Sequence, residues 1–162
     1  MDNYFDTYQN DPWINGNPRN LMNSTLPTDF GPNPFVVDIK KATEGNDDFR
    51  RALWTGNHLQ LTLMNIPVNE DIGKEMHPSV DQFLRVEEGV GLVQMGDSNT
   101  FTFQQSIFEG SAIFIPAGTF HNITNTGNTP LKLYSIYAPA NHPKGTIHET
   151  KEDAKAMEHS NK

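Results

Sequence analysis

From residue 35 onward, short runs of β-forming residues alternate with turn signals. The runs are "PFVVDI", "HLQLTLMNIPV", "DIGKEMHP", "QFLRVEEG", "GLVQMG", "TFTFQQSIF", "SAIFIPAG", "FHNITNTG" and "LKLYSIYAP". Many alternate apolar and polar positions, the period of half-buried strands. Glu88-Gly89, Gly96-Asp97, Glu109-Gly110, Pro116-Ala117-Gly118 and Gly127-Asn128 separate them. Strands about every ten residues predict an all-β sandwich or barrel. "RALWTG" is too short to assign, and the tail "KEDAKAMEHSNK" is helix-compatible but short, a frayed end. The organisation expected is an irregular N-terminal arm over 1–34, a barrel over 35–140 and a C-terminal tail over 141–162. The arm is rich in Asn, Asp and Pro and has no period. Its Trp13, Ile14, Leu21 and Met22 favour docking, on the barrel or on a neighbouring subunit.

Chemistry concentrates in Gly73–Gly91. Glu75 and His77 are two residues apart and share a face if extended, about 6.6 Å apart along a strand. Pro78 to Asp81 read as a turn, and Gln82 as the start of the partner strand of a hairpin. Glu75, His77 and Gln82 can then converge on one metal ion at roughly 2.0–2.2 Å per bond. His121, after Pro116-Ala117-Gly118, is the best fourth ligand. Asp81 is a rival to Gln82. His58, His142, His148 and His159 read as surface histidines.

These residues carry a family resemblance over roughly Ala52 to Pro139. The chain resembles a small single-domain cupin. Gly110, Pro116, Gly118, His121 and Asn125 match the second cupin motif in full. In the first motif Asn69 stands at the leading Gly, Glu75 at the first His, His77 at the second, Gln82 at the Glu, and Gly89 closes it. The resemblance extends to small bacterial cupins labelled sugar-phosphate-isomerase-like. It implies an all-β double-stranded β-helix, the cupin or jelly-roll barrel, that holds a small-molecule ligand, pairs as a homodimer and binds one divalent metal ion. Pro116, Gly118 and Asn125 are expected to be structural. The usual three imidazoles and one carboxylate become two imidazoles, one carboxylate and one amide, with the single negative charge kept. Oxygen donors favour Mn, Fe, Co, Zn or Ni over Cu(I). Type I phosphomannose isomerases, also cupins, use two His, one Glu and one Gln. Metal-assisted isomerisation or epimerisation of a small sugar or hydroxy-carbonyl compound is therefore the leading expectation, ahead of a dioxygenase or a non-catalytic binding module.

Composition narrows the partners. A formal charge of −8 over 162 residues leaves no basic patch to replace counterions on nucleic acid or an anionic membrane. No apolar run approaches the roughly 20 residues of a membrane span. With no cysteine, disulfides and thiolate chemistry are excluded. The acidic start "MDNYFD" is not a signal peptide, so a cytoplasmic location is expected.

Overall fold

The structure, a computed structural model, describes residues 28–160. Most of the arm, with Trp13, Ile14, Leu21 and Met22, lies outside the described residues. Nine strands follow in order: β1 Arg50–Thr55, β2 Gln60–Ile66, β3 Asp81–Glu88, β4 Val90–Gly96, β5 Phe101–Phe108, β6 Ala112–Ile115, β7 Phe120–Asn125, β8 Leu131–Ala138 and β9 Ile147–His148. Helix α1 spans Ile39–Glu44 and α2 spans Lys151–Ser160. Six strands form one sheet in the order β6-β3-β8-β2-β1-β9, and three form a second in the order β5-β4-β7. Every pairing is antiparallel. The two sheets face one another as a double-stranded β-helix. No helix among the described residues is long and apolar enough to cross a membrane.

Strand alternation decides what fills the barrel. Across the large sheet, Gln82, Tyr137 and Gln60 lie opposite one another in one row. Leu84, Ser135 and Thr62 form the next row, and Val86, Leu133, Met64, Arg50 and His148 the third. The inner core joins Leu84, Val86, Leu133 and Met64 to Val93, Ile107 and Ile123 of the small sheet. Each such side chain contributes about 1.5–3 kcal/mol by burial. The first row stays polar, with all three of its side chains buried.

Three segments depart from the expected pattern. "PFVVDI" is not a strand: Asp38 caps α1 by accepting from Lys41 N. Phe35, Val37 and Ile39 instead pack on the outer face of the large sheet against Leu53, Leu63 and Tyr134. Their alternation records a docked edge rather than a hydrogen-bonded ladder. "RALWTG" is strand β1, sandwiched between β2 and β9. The tail is not frayed at its start: β9 pairs with β1, and Ala154 of α2 joins the inner core.

The segment 70–75 runs along the open edge of β7. Asp71 lies opposite Thr124 and Glu75 opposite His121, so four residue steps on one side meet three on the other. The extra residue is a bulge, with Gly73 at φ 86°. Asp71 Oδ1 accepts from Gly73 N at 3.1 Å. The bulge lets both Ile72, in the inner core, and Glu75 face inward although they are three residues apart. A regular register would put Lys74 opposite His121. The first motif's leading position explains itself too. Asn69 has φ 64°, the left-handed conformation that Gly adopts freely and Asn tolerates.

Gly73→Ala adds a Cβ with room around it but strains this left-handed backbone. The expected loss is about 1 kcal/mol in denaturant unfolding. Gly73→Val should lose more, and an unchanged midpoint for both would mean the bulge is not constrained.

Candidate metal centre

Glu75, His77 and His121 meet on the inner side of the small sheet. Their ligand atoms all lie within 4.8 Å of one another. Glu75 Oε1 is 3.6 Å from His77 Nε2 and 3.4 Å from His121 Nε2. Two donors about 2.1 Å from one ion stand roughly 3.0–3.4 Å apart at octahedral or tetrahedral angles, so the spacing suits a shared cation. Backbone pairing sets the geometry: Glu75 N donates to His121 O at 3.0 Å, and His121 N to Glu75 O at 2.9 Å. Gly118 N donates to His77 O at 2.8 Å, tying the Pro116–Gly118 turn to the second histidine.

The donor chemistry fits as well as the spacing. His121 is fully buried, and its Nδ1 lies 3.0 Å from Thr119 O. A carbonyl only accepts, so Nδ1 carries a proton and Nε2 is the nitrogen that faces the cluster. Nε2 of both His77 and His121 is buried without a hydrogen-bond partner. Burial alone pushes the Glu75 carboxyl up. The His121 and His77 rings and the Arg50 guanidinium outweigh it and hold that carboxyl well below the usual range.

Gln82 comes from the opposite sheet. β3 pairs with β6 and β8, not with 70–77, so the expected hairpin does not form. Residues 78–80 carry the chain from one sheet to the other. Gln82 is therefore presented from across the barrel, directly opposite Tyr137, whose ring centroid is 5.5 Å from that of His77. Gln82 Nε2 donates to Ser135 Oγ at 2.8 Å, and its Oε1 is buried without a partner. Asp81 is exposed and accepts from Ala117 N at 2.9 Å, a brace for the Pro116–Gly118 turn. Asn125 donates to Ile66 O and Thr129 O and accepts from Gly127 N, a structural role.

Two tail histidines, His142 and His148, are not at the surface as expected, while the side chain of His159 lies outside the described residues. His148 is buried opposite Arg50, and His142 packs edge-on against Tyr137 at 5.1 Å between centroids. Gln60 holds that loop: its Oε1 accepts from the backbone N of Asn141 and His142, and its Nε2 donates to His142 O. Burial, and then the charge of Arg50, press His142 down to about 3, so its ring is neutral. Burial raises the Tyr137 hydroxyl, which stays protonated. Arg50, at 2% exposure, places a guanidinium inside the barrel. The arginine was missed because "FRRALW" reads as a short polar-flanked run; the alternation of Arg50 with Ala52 was its one signal.

Comparison with known proteins agrees with this architecture. The cupin-domain family profile matches residues 62–137. The chain is 63% identical over 141 residues to YrkC of Bacillus subtilis, covering 86% of this chain and 74% of that one. It is 65% identical to BH2720 of Bacillus halodurans, a crystal structure, with a TM-score of 0.79 over 80% of this chain and 98% of that one. The chain belongs to the cupin family. A Klebsiella pneumoniae protein with a double-stranded β-helix domain shares the fold alone, at 16% identity, a TM-score of 0.56, and 73% and 100% coverage. In this cupin a cavity of about 280 Å³ opens between β1, the 72–75 segment and α2, with Arg50 and Glu75 in its wall. Lys151 of α2 closes on Asp71 Oδ1, fastening the helix over that edge.

Two measurements follow. The histidine nitrogen spectrum of metal-free protein should show His121 as the Nδ1–H tautomer, and the Nε2–H form would contradict the Thr119 contact. Asp71 is the second. Burial alone raises it, but Lys151, Asn122 and the Gly73 N–H together hold it below its ordinary 3.8. A depressed folded-state value stabilises above the unfolded value and is lost as pH falls through the folded one. Asp71→Asn should then cost about 0.5–1 kcal/mol at neutral pH. That difference should shrink as the pH drops below 3.8 in acid titrations of unfolding.

Proposed function

We propose that this cupin holds one divalent metal ion through Glu75, His77, His121 and Gln82, and uses it on a small sugar or hydroxy-carbonyl compound in an isomerisation or epimerisation. The observation that carries the reading is the pair of buried imidazole nitrogens beside one carboxylate, all within 4.8 Å. An unpaired buried polar group costs about 1–3 kcal/mol, and a shared cation removes that penalty for both rings at once. A divalent ion there would act as a Lewis acid toward a carbonyl oxygen. The chain's own groups have defined duties. Thr119 O keeps His121 in the ligating tautomer. Ser135 turns Gln82 so that Oε1 is the free atom. The Tyr137 hydroxyl holds a proton within the same interior and is the candidate donor to a ligand oxygen. The cluster is set in the barrel with His121 fully buried and Glu75 and His77 partly exposed, which leaves a small ligand a route to it. The two-His, one-Glu, one-Gln set of type I phosphomannose isomerases supports isomerase chemistry over other uses of the site.

Elemental analysis of purified protein should find one divalent ion per chain. His77→Ala and His121→Ala should abolish binding, and Glu75→Gln should weaken it severely by removing the shell's single negative charge. Gln82→Ala should weaken it least, about tenfold, since water replaces a neutral amide oxygen, and Gln82→Glu should tighten it. Stoichiometric metal in both histidine variants would sink the site. For the reaction, wild-type protein in deuterated water should place deuterium on the carbon beside the carbonyl of a hydroxy-ketone, and His121→Ala should not. Full metal occupancy with no exchange across a panel of hydroxy-carbonyl compounds would leave the metal site standing and remove the isomerase.

A further inference from the structure

We infer that Arg50 anchors the acidic head of a small anionic ligand, a carboxylate or phosphate group, in the cavity beside the Glu75–His77–His121 cluster. Arg50 sits on the inward face of β1, in the row that otherwise holds Met64, Leu133 and Val86. A guanidinium carries five donors and cannot be neutralised at ordinary pH. At 2% exposure this one is removed from water, and its Nε has no hydrogen-bond partner. Its nearest charge partner is Glu75 Oε2, 3.8 Å from Nη2, beyond a hydrogen bond. The other oxygen of that carboxylate is turned to the two histidines. Glu75 therefore balances Arg50 at a distance without occupying its fork.

Two more buried polar atoms close to Arg50 have no hydrogen-bond partner. They are the Tyr137 hydroxyl, which lies within reach of the Arg50 charge, and Nδ1 of His148, the residue opposite Arg50 on β9. A planar oxyanion is the chemistry that satisfies a guanidinium fork and neighbouring donors together. The cavity of about 280 Å³ has room for it, with Lys155 of α2 as a further cation in its lining.

Charge points the same way, and this step rests on the metal reading above. Arg50 and Glu75 cancel. A divalent cation in the cluster leaves two uncompensated positive charges in a buried interior, which an anionic ligand offsets. The ligand class narrows to hydroxy-carbonyl compounds that also bear a carboxylate or a phosphate.

Calorimetric titration of the purified protein, as isolated and after chelation of metal, tests this with three probes: lactate, its uncharged amide lactamide, and inorganic phosphate. Wild-type protein should bind lactate or phosphate, and whichever is tighter names the head group. Lactamide should bind at least tenfold more weakly than lactate if the carboxylate is the head. Arg50→Met should weaken the preferred anion at least tenfold while keeping its metal content, and Arg50→Lys should restore part of the loss. Should Arg50→Met fail to fold, Arg50→Lys and the wild-type probe comparison still decide. Failure of both anions to bind wild-type protein overturns the inference. So does lactamide binding as tightly as lactate with no phosphate binding, or a folded Arg50→Met or Arg50→Lys variant that binds as tightly as wild type. Metal content is read separately on every sample. Wild-type protein that carries no metal as purified yet binds anions through Arg50 would refute the metal centre and leave the anchor intact.

Discussion

One extra residue in the edge segment beside β7 governs the interior. Ile72 must face inward to close the apolar core, and three positions later a carboxylate must face inward to meet two imidazoles. A regular strand cannot do both, because its side chains alternate. The bulge at Gly73 resolves the conflict by shifting register once, so that Glu75 and not Lys74 lies opposite His121. Without that shift an ammonium would stand against two histidines, and the carboxylate would point at solvent.

The remaining polar interior is arranged around this choice. The small sheet contributes Glu75, His77 and His121, while the large sheet contributes Gln82, Tyr137 and Arg50. Apolar rows fill the space next to them, so every polar group there needs a specific partner or stays unpaired. Gln60 illustrates the satisfied kind: both ends of its amide are consumed in holding the Asn141–His142 loop. Gln82 illustrates the other kind, with one end fixed by Ser135 and the other free. Two glutamines in one cross-strand row thus differ: one is satisfied at both ends, the other keeps an unpartnered amide oxygen in the interior.

Much of this was legible in the chain. Turn residues every ten or so positions and the spacing around His121 were enough for the barrel, and Glu75 and His77 two apart were enough for a shared face. The pairing partner was not legible. Pro78 to Asp81 reads as a hairpin turn, and nothing local distinguishes that from a crossing between sheets. The roles of "PFVVDI" and of the tail were hidden for a related reason. Alternation reports burial on one side, whether the backbone pairs or merely docks, and a two-residue strand such as β9 is too short to carry a period. Arg50, His142 and His148 entered the interior through those unread contacts.

The division of labour between the sheets has a mechanical side. A β-sandwich ordinarily resists shear only through side-chain packing, which is non-directional. Under the proposed function, donors of both sheets hold one ion or ligand, and the held group becomes a rivet through the sandwich. Sliding of one sheet over the other and release of the gripped group are then a single motion.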